Sequence, residues 1–116
     1  GSSTACTGAI TTSAAWKLTK DGIVVTLTLP SVTGTATALP SFTFGQALPA
    51  KYRPSATVSQ TVPIKNNGAD QATQGLVSID YLTGNITVYK DGSRTANFTN
   101  AATAGLTDAA VISWTV

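Results

Sequence analysis

The acidic side chains of this 116-residue chain number five, and all are aspartates: Asp21, Asp70, Asp80, Asp91 and Asp108. A glycosidase needs two carboxyl groups held across one scissile bond. Asp21 and Asp91, however, each precede a glycine, and Asp80 stands before a Thr-Gly-Asn turn. At such positions Asp serves local backbone hydrogen bonding without any catalytic duty. There is no histidine and no glutamate, so Ser-His-Asp and Cys-His machinery lacks its base and the commonest metal ligand is missing. Cys6 is the single cysteine; it forms neither an internal disulfide nor a zinc site and reads as a free thiol without a role. Calcium-loop and phosphate-loop spacings are also missing. The expectation is therefore a non-enzyme with no catalytic residue, no metal and no cofactor.

Recognition chemistry remains. Trp16, Phe42, Phe44, Phe98 and Trp114 sit among apolar partners on strand-like runs, which reads as core or subunit interface. Tyr52, Tyr81 and Tyr89 fall on a connection, a turn shoulder and a polar strand face, where an exposed ring is free to stack on a sugar. The net charge of +2 comes from scattered Lys and Arg. Without a basic stripe for phosphates, nucleic acid is not an expected partner. No apolar run approaches the ~20 residues of a membrane span, and no signal-peptide pattern opens the chain, so membrane insertion is not expected.

The elements that position these side chains are strands. The clearest is a hairpin over Leu76 to Lys90, with Val77, Ile79, Ile86 and Val88 on one face and Gly84 in the turn. Upstream, Trp16 and Leu18 alternate with Lys17 and Thr19, Lys20-Asp21-Gly22 turns, and Ile23, Val25, Leu27 and Leu29 follow at period two until Pro30. Phe42 and Phe44 share a face. Leu48 to Ser55, pinned by Pro49 and Pro54, is a rigid surface connection and not a helix. Val58 and Val62 share a strand face, with Pro63 marking an edge or bulge. Asn66 to Gln74 reads as a polar loop, Thr95 to Thr99 as a short strand, Asn100 to Ala109 as a loop, and Ala110 to Val116 as a final strand with Ile112, Trp114 and Val116 together. Residues 1–13 read as the scar of a cleaved tag (Gly1-Ser2) and an extended lead-in or linker, and residues 14–116 as one domain. Short strands with frequent turns and no sustained helical period predict an all-β antiparallel β-sandwich, of jelly-roll type.

At Leu48-Pro49-Ala50-Lys51-Tyr52-Arg53-Pro54 the chain resembles the C-terminal receptor-binding and trimerisation domains of bacteriophage tail fibres and tailspikes. Their pattern is an early Trp strand, Leu-Pro-x-x-Tyr-Arg-Pro, a strand, an Asn-Asn-Gly loop, a hairpin like Ser78 to Lys90, and a terminal Ile-Ser-aromatic-Thr-Val, matched by Ile112 to Val116. The resemblance runs from Trp16 to Val116. It implies a homotrimeric tip at the distal, extracellular end of a virion fibre or tailspike, and contact with bacterial surface glycan such as lipopolysaccharide or capsule. A carbohydrate-binding module attached to an upstream polysaccharide depolymerase and a purely structural trimerisation clamp are the alternatives. If glycan binds, loops are the expected surface: Asn66, Asn67, Asp70 and Gln71 offer amides and a carboxylate to paired hydroxyls, with Tyr52 and Tyr81 as stacking surfaces. Trp16, Phe42, Phe44, Ile112, Trp114 and Val116 are then expected in the core or at the trimer contact.

Overall fold

A computed structural model describes residues 3–116. In chain order the strands are β1 (Thr4–Ala5), β2 (Thr7–Gly8), β3 (Ser13–Ala14), β4 (Lys17–Asp21), β5 (Val24–Leu29), β6 (Val32–Thr35) and β7 (Ser41–Thr43). A three-residue 3-10 turn at Ala50–Tyr52 precedes β8 (Val58–Val62), β9 (Ile64–Asn66), β10 (Ala69–Asp70), β11 (Gly75–Ile79), β12 (Ile86–Tyr89), β13 (Thr103–Leu106) and β14 (Ala110–Thr115). The fold is all-β, and every strand pairing among the described residues is antiparallel.

The central hairpin forms as its alternation dictates: Val77 faces Val88 and Ile79 faces Ile86 across β11 and β12, and all four are buried. Gly84 closes the turn at φ +74°, and Asp80 accepts the Leu82 amide at 2.7 Å in an Asx turn. This hairpin is the middle of a five-stranded sheet ordered β2-β7-β12-β11-β8.

Two further sheets, β10-β9-β13-β6 and β14-β5-β4, are halves of one bent ladder. The passages β5–β6 and β13–β14 run antiparallel to each other, pairing Leu29 with Ala110 on one side of the bend and Val32 with Leu106 on the other. Pro30 cannot donate to either ladder, so the chain turns there. The Ser31 hydroxyl lies 3.1 Å from the Leu106 carbonyl and 2.7 Å from that of Thr107. Pro63 makes the matching corner from β8, in the five-stranded sheet, to β9, in the four-stranded one, and its carbonyl accepts the Thr107 amide at 3.2 Å. A contiguous core draws Val25, Ile112, Phe42, Val77, Ile64 and Leu106 from the three larger sheets, an arrangement compatible with a β-sandwich.

Several expectations need correction. The supposed lead-in is part of the fold from Thr4 onward: β1 pairs with β3, β2 pairs with β7, and Cys6, Ala9 and Ile10 are buried. The reading of Gly1-Ser2 as a tag scar lies outside the described residues. The stretch from Asn66 is a hairpin, not an open loop, with Asn67 at φ 53° and Gly68 at φ 75° between β9 and β10. Thr95 to Thr99 forms no strand; Phe98 is held by its amide on the Leu39 carbonyl at 2.9 Å. Asn100 to Ala109 contains β13, whose Gly105 lies so close to the Val32 carbonyl that no side chain fits. Ile23 belongs to the turn and is 64% exposed, and Val116 is 44% exposed. Trp16, Phe42, Phe44, Ile112 and Trp114 are buried within the single chain.

Candidate functional site

The Leu-Pro-x-x-Tyr-Arg-Pro segment is a strap tied down at both ends. Pro49 and Pro54 fix φ on either side of the 3-10 turn, so few backbone states compete with the bound one. Two indoles hold it: Trp16 Nε1 donates to the Gln46 carbonyl at 2.8 Å and Trp114 Nε1 donates to the Tyr52 carbonyl at 2.7 Å. Arg53 joins the strap to the central turn, donating from Nε to the Leu48 carbonyl at 3.0 Å and from a terminal nitrogen to the Leu82 carbonyl at 2.8 Å. The Leu48 amide bonds the Gly84 carbonyl at 2.9 Å. Leu48 and Pro54 are buried, so this connection is half inside the protein and not merely on its surface.

Alternation along β4 places Trp16, Leu18 and Lys20 on one face. Strap residues Pro49 and Tyr52 lie against that strand. The result is a cleft of about 220 Å³ lined by Trp16, Leu18, Thr19, Lys20, Pro49 and Tyr52. Its walls are apolar rings and stems, and Lys20 is the charged residue among them. The Lys51 ammonium lies 5.0 Å from the Tyr52 ring centroid. Among the described residues the one ion pair is Lys65 with Asp70, at 4.0 Å, so neither Lys20 nor Lys51 is paired with a carboxylate there.

The residues anticipated for glycan contact do not converge. Asn66 is 7% exposed; its amide donates to Thr99 Oγ1 at 3.1 Å and accepts the Thr99 amide at 2.8 Å, a structural clasp that removes it from any surface site. Gln71 Nε2 donates to the carbonyls of Asn66 and Ala69, at 3.0 Å each, and braces the hairpin from within. Asn67 and Asp70 are exposed on that hairpin. Tyr81 is 44% exposed beside the central turn. Val58 pairs with Ile79 next to that turn, whereas the β9–β10 hairpin follows the far end of β8 and belongs to another sheet. Tyr52 belongs to the cleft. Sequence reasoning missed Lys20 and Pro49 as its neighbours. The period-two spacing of Trp16, Leu18 and Lys20 was a usable signal for the first, whereas the crossing of the strap is tertiary and left no local trace.

No group of metal-ligating side chains is found among the described residues, and no helix there is long and apolar enough to cross a membrane. In comparisons with known proteins, no family model and no curated relative matches this chain.

Proposed function

We propose that this chain is the non-catalytic C-terminal tip domain of a bacteriophage tail fibre or tailspike, a jelly-roll-type sandwich that trimerises on the virion and contacts host-surface carbohydrate. The observation that carries the reading is the strap. Residues of the tail-fibre pattern lock this domain together: Trp114 caps the Tyr52 carbonyl of the strap, Trp16 caps the Gln46 carbonyl just ahead of it, and Arg53 reaches from the strap to the hairpin turn. A motif whose members are hydrogen-bonded to one another across the chain is a signature of one scaffold, and the likeness therefore speaks to fold before ligand. The same fact favours a second reading, a structural trimerisation clamp, because those motif groups are engaged inside the protein.

Carbohydrate contact is supported by the aromatic-walled cleft and by the exposed Asn67, Asp70 and Tyr81. An array of bacterial lipopolysaccharides and capsular polysaccharides, probed with the intact chain, tests it. The expected result is retention on a subset of polysaccharides, weak per site and raised by avidity. Silence across the array overturns carbohydrate contact and leaves the clamp.

A further inference from the structure

We propose that the cleft between β4 and the strap binds a single pyranose ring bearing a carboxylate, such as a uronic-acid residue of an acidic polysaccharide. The inference deepens the carbohydrate reading above and takes its biological meaning from it. Size comes first. At about 220 Å³ the cleft falls below the ~300 Å³ at which pockets for drug-sized ligands begin, so it accommodates one ring and leaves neighbouring sugars in solvent.

Chemistry comes second. Tyr52 and Pro49 supply flat apolar surface for the C–H face of a pyranose, and Trp16 and Leu18 form the wall behind. Trp16 is fixed by its bond to the Gln46 carbonyl and Tyr52 by the bond that its carbonyl accepts from Trp114. The Trp16 ring and the Tyr52 backbone are therefore held in place before binding, which lowers the ordering cost. The polar side chain on the cleft face is Lys20, which suits an anion, while Thr19 borders the cleft from the strand backbone; Lys51 adds a second ammonium beside the Tyr52 ring. No aspartate lines the cleft. The nearest in sequence, Asp21, falls on the opposite face of β4 by alternation. An apolar cleft with cations and no acid prefers an anionic sugar to its neutral counterpart.

The test is a ¹H–¹⁵N NMR titration of the whole chain with methyl β-D-glucuronide and, in parallel, methyl β-D-glucoside, which differs in lacking the carboxylate. The expected result is millimolar binding of the glucuronide, with shifts concentrated at the Trp16 indole N–H and the Leu18, Thr19, Lys20 and Tyr52 amides. The glucoside should bind about tenfold more weakly, the scale of one exposed charge-assisted contact. Lys20→Met, which keeps the aliphatic stem but leaves Lys51, should reduce that preference. Shifts centred elsewhere, equal affinity for both glycosides, or an unchanged preference in Lys20→Met would overturn the proposal. The wild-type titration decides location and preference even where Lys20→Met fails to fold. Polysaccharide retention on the array together with a silent cleft would remove this site and spare the broader reading; a responsive cleft with a silent array would do the reverse.

Discussion

Trp114 illustrates how one residue does two jobs. Its ring is 8% exposed in the core, and its indole N–H caps the strap at the Tyr52 carbonyl. Trp114→Ala should cost about 3–5 kcal/mol, the usual range for truncating a buried aromatic. Trp114→Phe keeps most of the packing and orphans one carbonyl, so about 1–2 kcal/mol is expected; urea midpoints of the two variants check the split. Cys6 makes a prediction in pH. Burial pushes its thiol pKa up, so the folded state holds the proton more tightly than the unfolded state. The associated stability is fully present below the unfolded thiol's pKa and is lost as pH rises through the folded one. Urea midpoints measured from neutral into alkaline pH should therefore fall more for the parent than for Cys6→Ala. A thiol reagent should label Cys6 only on unfolding. At Asp91, hydrogen bonding from the Ser93 hydroxyl is the chief cause of a lowered pKa, an exposed local effect with no bearing on catalysis.

Among the elements, turns decide what was legible. The central hairpin was readable because β-branched alternation and a turn glycine agree, and its register follows from both. The Asn67-Gly68 hairpin carried the strongest dipeptide signal for a type I′ turn. Its short flanks, Lys65-Asn66 and Ala69-Asp70, offer no apolar alternation, so the stretch read as loop. Strand β13 was hidden because Thr-Ala-Gly-Leu has weak strand propensity and its place is set by neighbours on both sides, β6 and β9. Phe98 misled in the other direction: burial of an aromatic does not require a ladder. Of the candidate site, the tyrosine of the strap was legible, but its partners on β4 depend on a crossing that no local pattern encodes. Turn glycines yield a paired prediction. Gly84 and Gly22 both have positive φ, +74° and +62°. A Cβ at Gly84 would sit 2.6 Å from the Leu48 carbonyl oxygen and 2.6 Å from Arg53 Nε, whereas one at Gly22 would meet nothing within 4 Å. Gly22→Ala should cost about 1 kcal/mol from backbone conformation alone. Gly84→Ala should cost about 3 kcal/mol or more, because it also pushes the strap off the turn. Equal losses in thermal or urea unfolding would contradict the account of the strap.

For the whole molecule the proposal stands or falls on assembly. The aromatics expected in the core or at the trimer contact are buried inside one chain, so they do not themselves require partners. Among the exposed apolar side chains, which also include Leu39, Leu82 and Val111, is a small cluster at one end of the three-stranded sheet. The Val116 amide bonds the Ile23 carbonyl at 2.8 Å, Val24 pairs with Thr115 beside them, and Ile23, Val24 and Val116 are 64%, 42% and 44% exposed. In the proposed trimer this cluster is the natural contact, and Val116→Asp should break the assembly while leaving the buried core intact. The proposed tip and the trimerisation clamp both require three copies, whereas the alternative of a carbohydrate-binding module attached to a depolymerase needs no partner copies, so mass separates that alternative from the other two. The decisive measurement is sedimentation equilibrium on the intact chain at micromolar concentration. The account predicts a species of three times the 11.8 kDa chain mass, falling to the chain mass in Val116→Asp. A monomer for the parent chain at the highest concentration reached would contradict it.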